Sequence, residues 1–221
     1  MINILANRHM IDADWCYHAF KEHIDETHKV VIIPFTFRPD KIYSTELWKE
    51  FYGKESGLYY DGIVDSFKRY GILEENITWI SYFEDSNNDA KNKVNQADII
   101  YIPGGLPDQL MNRLEEYELI DQIEKHSGVI IGYSAGAMVQ LNKYHITPDA
   151  DYDTFTYQKG LNIINHLNIE VHYEGTGIQL ESIKRVIEET NKPVYAMEDE
   201  GAIIVQDDQV TQVGKVHYFG L

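Results

Sequence analysis

The 221-residue chain has a single cysteine, Cys16, so no internal disulfide can form and nothing calls for an oxidising compartment. Apolar runs are short. None approaches the about 18 residues that a membrane-crossing helix needs, and Met1–Arg8 lacks the basic start and apolar stretch of a signal peptide. A cytoplasmic location is the expectation. Basic residues are scarce too, with 19 Lys and Arg against 36 Asp and Glu and a net charge of −17. Protonating all nine histidines would offset only about half of that. A generic binder of nucleic-acid phosphates needs a basic face, so no nucleic-acid partner is expected. Anionic membrane surfaces are disfavoured for the same reason. No His-x-x-x-His pair or cysteine cluster offers metal-ligand spacing. The Asp149-Ala150-Asp151-Tyr152-Asp153 run resembles the opening of a calcium loop, but the required Gly and closing Glu are missing from their offsets. No metal and no cofactor is called for. Without repeats or Pro/Gly/Ser linkers, residues 1–221 read as a single domain of monomeric or homodimeric habit.

What is present is a core. Apolar residues make up 43% and aromatics 12% of the chain, too rich for disorder. Short β-branched runs at Ile2–Ala6, Val30–Phe35, Ile77–Tyr82, Ile99–Ile102 and Val129–Tyr133 predict buried strands. Helical patterns over about 11–26, 44–70 (broken near Gly53 and Gly57), 86–96 and 107–126 separate them. That alternation predicts an α/β fold with a doubly wound, mostly parallel sheet in three α/β/α layers. Beyond residue 140 the pattern changes. Ile169–Val171, Val194–Met197, Ala202–Val205 and Gln209–Val213 read as short strands around one helix at about 178–190. Gln206-Asp207-Asp208-Gln209 reads as a hairpin turn, giving a small antiparallel extension. Ile42–Tyr60 carries Tyr43, Trp48, Phe51, Tyr52, Tyr59 and Tyr60. It reads as a helix packed on the sheet, with a lid or subunit contact as the alternatives.

The sharpest chemical signal is Gly132-Tyr133-Ser134-Ala135-Gly136, where a buried strand passes straight into a helical run. This is a G-x-S-x-G nucleophile elbow. The turn lifts the Ser134 hydroxyl above the sheet, and Gly132 and Gly136 keep side chains out of its crowded bend. The free helix N-terminus aims the Ala135 N–H at a developing oxyanion. Strand Ile99–Ile102 ends in the pair Gly104-Gly105, beyond the carboxyl edge where α/β sheets build their sites. Gly105 offers a second N–H there. Cys16, inside Trp15-Cys16-Tyr17-His18, reads as an ordinary packed thiol.

A serine needs a base, normally His oriented by a carboxylate. His9, His18, His23, His28 and His126 fall in or beside helices and suit surface roles, whereas His145, His166 and His217 stay open. His172 stands out: it ends the strand-like stretch Asn168–Val171 and precedes the glycine-containing Glu174–Gly177. The candidate carboxylates are Asp199 and Glu200, in the turn Glu198-Asp199-Glu200-Gly201 expected between two strands. A hydrolase of the other chain order would use Asp151 or Asp153.

Together these segments resemble the peptidase E and cyanophycinase family of serine peptidases, which share the class I glutamine amidotransferase-like fold. The family's Gly-x-Ser-Ala-Gly-Ala elbow is matched by Gly132–Ala137, its strand ending in Gly-Gly by Tyr101–Gly105, and its His-Tyr or His-Phe pair by His172-Tyr173. The resemblance implies a triad of Ser134, His172 and Asp199, with Asp199 placed just before the strand Ala202–Val205. It also implies an oxyanion hole at Gly105 and Ala135, and a serine exopeptidase acting on short peptides, extending to dipeptides that begin with aspartate. Substrate would be held near Gly104, Leu106 and Arg38. Leu106 departs from the family's usual Asn after the glycine pair, which weakens the aspartyl expectation. Arg8 and Arg38, both following predicted strands, are the candidate carboxylate clamps. A serine esterase or amidase, and a catalytically silent module on the same scaffold, are the alternatives.

Overall fold

The computed structural model describes residues 1–220. The chain runs β1 (Ile2–Ala6), α1 (Asp14–Lys21), β2 (Val30–Ile32), α2 (Thr45–Tyr52), α3 (Tyr60–Lys68), β3 (Ile77–Trp79), α4 (Asn87–Gln96) and β4 (Ile99–Ile102). It continues through α5 (Pro107–Glu116), α6 (Ile120–Glu124), β5 (Val129–Tyr133), α7 (Ala135–Met138), β6 (Lys143–Ile146), β7 (Thr156–Lys159) and β8 (Asn168–Glu170). Last come α8 (Gly177–Thr190), β9 (Val194–Gln206) and β10 (Gln209–Phe219).

The main sheet has the order β10-β9-β1-β5-β4-β2-β3, with β8 beside the first part of β9. β1, β5, β4, β2 and β3 run parallel; β9 turns antiparallel against β1, and β10 against β9. Period-two alternation within the strands divides the interior in two. On one face Ile4, Ile32, Tyr101 and Ile131 pack against Cys16 and Phe20 of α1 and against Val64 and Phe67 of α3. On the other, Leu5, Val31, Ile100 and Ile130 pack against Val94 of α4, Leu114 of α5 and Ala137 of α7. This is the three-layer arrangement that the strand–helix alternation predicts.

Local chemistry explains the element ends. Ser86 and Asp89 form a reciprocal capping box at the start of α4, as do Thr176 and Gln179 at α8. The long helix expected over 107–126 is two helices, because Glu118 takes a left-handed backbone (φ 54°) between them. Asp207 and Asp208 both have positive φ, the geometry of a tight hairpin turn whose twist matches the strands it joins.

One expectation needs correction. Glu198–Gly201 is not a turn between two strands: it runs inside the continuous strand β9, and the register irregularity falls opposite it, between Gly214 and Val216 of β10. The small antiparallel pair β6–β7 was not foreseen. No helix among the described residues is long and apolar enough to cross a membrane.

Candidate active site

Ser134 follows β5 at the carboxyl edge of the sheet. Its backbone has φ 50° and ψ −118°, a conformation that costs a non-glycine residue about 1–3 kcal/mol and that the surroundings must enforce. They do so by close packing. A Cβ on Gly132 would lie 2.1 Å from the Gly136 carbonyl oxygen, and one on Gly136 would lie 2.0 Å from the Ile102 carbonyl oxygen. The Ser134 N–H donates to the Ala6 carbonyl at 3.0 Å, tying the elbow to the neighbouring strand β1.

His172 lies two residues beyond β8, and its Nε2 is 2.8 Å from Ser134 Oγ. The sequence separates these residues by 38 positions; the sheet brings them into contact. His172 also takes a left-handed backbone (φ 53°), held at both ends. Its N–H donates to Asn7 Oδ1 at 2.6 Å, and its carbonyl accepts from Gln179 Nε2 at 2.8 Å. Burial pushes the His172 pKa down and the neighbouring Arg8 charge adds to this, while Asp199, Asp149 and Glu170 oppose it. The net lowering favours the neutral imidazole, the form that can accept a hydroxyl proton.

Asp199 lies in the same cleft as His172, but no hydrogen bond joins them, and His172 Nδ1 is buried without a partner. Instead Asp199 Oδ1 accepts from Arg8 Nε at 2.8 Å and from Asn7 Nδ2 at 3.3 Å. Asn7 therefore spans the gap between the carboxylate and the histidine backbone. The physical reason is the extended course of β9, which directs successive side chains to opposite sides. Glu198 and Glu200 bond to His217 and Lys215 of β10, while Asp199 turns toward Arg8. Of the other carboxylates weighed from sequence, Asp151 is held by Arg38 at 2.7 Å.

Gly105, just beyond β4, has φ 140° and is packed so tightly on Thr36 that a Cβ would come within 2.4 Å of its carbonyl oxygen. Among the described residues, the N–H groups of Gly105 and Ala135 are bound to no protein acceptor. Gly105 lines the cleft in front of Ser134, and Ala135 directly follows the serine at the start of α7. Gly104 packs against the Tyr133 ring and Ser134 Cβ, and its carbonyl accepts from Thr36 Oγ1 at 2.5 Å. Leu106 is half-buried at the start of α5 and bonds through its N–H to the Thr36 carbonyl. Arg38 pairs with Asp40 as well as Asp151, which leaves it less free for a substrate carboxylate than its position suggested.

The cleft around Ser134 and His172 measures about 380 Å³. Its far wall holds a buried pair that sequence reasoning left unassigned: His145 of β6 donates to Glu170 Oε2 at 2.7 Å, and Thr147 Oγ1 donates to the same oxygen at 2.9 Å. Asn7 and Gln179 were missed as well. Asn7 stands directly after β1, where a polar residue at the carboxyl edge was the available signal, and Gln179 hides its contact behind a capping role. No cluster of three or more metal-ligating side chains occurs among the described residues.

A parallel sheet with a strained serine elbow and an imidazole at its hydroxyl defines an α/β protein of the nucleophile-elbow type. The model of peptidase family S51 matches residues 54–213, and the chain belongs to that family, the peptidase E family anticipated from its motifs. Solved structures agree on the fold. A candidate peptidase E protein from Listeria monocytogenes EGD-e superposes with a TM-score of 0.68 at 18% identity, covering 97% of this chain and 98% of that one. A peptidase from an acI-B1 Actinobacterium gives 0.63 at 19% identity, covering 99% and 90%. No curated protein sequence matches the chain.

Proposed function

We propose that this S51-family peptidase is a serine exopeptidase that hydrolyses short peptides through an acyl-enzyme on Ser134. The observation that carries the reading is the 2.8 Å contact between Ser134 Oγ and His172 Nε2, made by an imidazole whose burial favours its neutral form. His172 accepts the Ser134 proton as Oγ attacks the peptide carbonyl carbon. The N–H groups of Gly105 and Ala135 receive the oxyanion; one such donor is worth about 3–4 kcal/mol in the barrier. As the tetrahedral intermediate collapses, the C–N bond breaks and His172 passes its proton to the leaving amine. A water molecule, deprotonated by the same imidazole, then releases the acyl group as the free acid and returns the proton to Ser134.

Asp199 supports the imidazolium by charge, through space and through the Asn7 relay, since its Oδ1 bonds to Asn7 and Arg8. An aspartyl side chain would need a free cation. Arg38 and Arg8 each already hold a carboxylate, and the cleft is lined by Asp149, Asp151, Glu170 and Glu174. The reading therefore favours short peptides in general over aspartyl dipeptides.

The test is a fluorophosphonate probe followed by a peptide panel beside short-chain esters. Labelling of Ser134 with turnover of peptides supports the proposal. Folded protein that leaves the probe unreacted, or turns over esters alone, overturns it.

A further inference from the structure

Across the Gly104-Gly105 pair from the cleft of Ser134 and His172 lies a second cavity of about 240 Å³. The exposed Gly105 lines both spaces and forms the edge they share. The walls of the second one come from the aromatic segment that the sequence left without a role. Phe51 and Tyr52 of α2, Tyr59 just before α3, Phe37 after β2 and Tyr133 of the elbow itself line it. The rings hold one another. Tyr59 lies 5.9 Å from Phe51 and 5.7 Å from Tyr52, centroid to centroid, and Arg113 braces Phe37 from 3.6 Å above the ring.

Three features mark this as a built receptor rather than a packing gap. Tyr52 is only 6% exposed and lines the cavity, and among the described residues its hydroxyl takes part in no hydrogen bond, while burial together with Tyr133 and Tyr59 raises its pKa. A hydroxyl that no protein group holds, on a ring lining a cavity, is open to a ligand. Second, in a chain of net charge −17 no carboxylate among the described residues lines this space, whereas Arg38 and Lys41 do. Third, its volume is below the about 300 Å³ at which pockets hold drug-sized ligands, a size that suits one side chain.

We propose that this cavity receives an aromatic side chain of the peptide, belonging to the residue that donates the scissile carbonyl. The proposal rests on the acyl-transfer reading of Ser134. The side of the scissile bond follows from the proton path. His172 must face the leaving nitrogen, and His172 lines the first cleft but not the second cavity. The acyl-side residue is then directed away from the imidazole, toward the glycine pair and the ring-lined space behind it. Offset and edge-to-face contacts with Phe51, Tyr52 and Tyr59 suit a phenyl or phenol group, and the unpaired Tyr52 hydroxyl suits a phenol further.

The test compares peptides that differ only in the residue before the scissile bond: Phe, Tyr, Ala and Asp. Phe and Tyr are expected to exceed Ala by about ten- to a hundredfold in kcat/KM, the value of burying one ring. The half-exposed Tyr59 can be cut back without opening the core, and Tyr59→Ala is expected to lower the Phe-to-Ala ratio at least fivefold. Tyr52→Phe should lower the Tyr-to-Phe ratio. A binding measurement keeps the proposal separate from turnover: Ser134→Ala protein titrated by NMR with N-acetyl-phenylalanine amide and N-acetyl-alanine amide. Stronger binding of the aromatic amide, with shifts at Tyr52 and Tyr59, supports the pocket even if no peptide is cleaved, which would count only against the peptidase reading. Equal binding of the two amides, or a preference for Asp over Phe in turnover, overturns the pocket and leaves the peptidase reading intact.

Discussion

The backbone N–H of His172 donates to Asn7 Oδ1 at 2.6 Å. This contact fixes the imidazole from below, in a backbone conformation that L-residues seldom take, and does so from a residue that touches Asp199 with its other amide atom. Asn7 is a positioning residue by this geometry. Asn7→Ala should lower kcat about a hundredfold with little change in KM, since small misplacements of a reacting group cost that much. A purely structural role would instead show as a loss of folded protein with kcat per folded molecule unchanged.

Arg8 offers a test by pH. Only neutral His172 can take the serine proton, so kcat/KM should fall as pH drops through the histidine pKa, below its usual value of 6.5. Burial contributes most to that lowering, and Arg8 is the next cause. Arg8→Ala removes a positive charge, raises the His172 pKa and moves the acid limb of the profile to higher pH. Activity at about pH 5.5 should suffer more than activity at about pH 8. Asp199→Asn removes a negative charge and should shift the limb the other way. A limb that stays fixed in both variants would mean that these groups do not act on His172.

The elbow makes a stability prediction. Because a Cβ on Gly132 would stand 2.1 Å from a backbone oxygen, Gly132→Ala forces strand and helix apart. A loss of about 3 kcal/mol or more is expected in urea unfolding. Ser134→Ala adds nothing to that space and should unfold within about 1 kcal/mol of the parent protein, while losing at least about a thousandfold in turnover.

Glu170 accepts from both His145 and Thr147, with the His145 and Glu170 side chains only 1% and 5% exposed. Glu170→Ala strands one buried and one part-buried donor at once. The expected cost is about 2–5 kcal/mol, read from the denaturant midpoint. If the pair also steadies the strand leading to His172, kcat should fall in the folded fraction.

How far the sequence led is clearest from particular elements. β1, β2, β4 and β5 were legible because strands buried on both faces are continuous apolar runs. The elbow was legible because its bend tolerates only glycine at 132 and 136, two residues to either side of Ser134. The course of β9 was not. Glu198-Asp199-Glu200 has the composition of a turn, and only pairing with β10, including the salt bridges to Lys215 and His217, makes it a strand. Nor could the charge partner of Asp199 be read in advance. It comes from Arg8, 191 residues away, and a lone Asn-Arg after a first strand carries no spacing signal. The hairpin β6–β7 escaped because its two strands have four residues each and the connection between them is longer than the two to five residues of the usual hairpin signal.

Asp199 lies within β9, Asn7 and Ser134 directly follow β1 and β5, and Gly105 lies three residues beyond β4; these strands stand side by side in that spatial order. Their spacing is therefore ruled by the ladder of backbone hydrogen bonds, roughly 4.8 Å per step, rather than by supple loops. Heat or denaturant then has no way to slacken the machinery first and the scaffold afterwards: turnover and β-sheet vanish in one transition, without a softened, half-competent form in between.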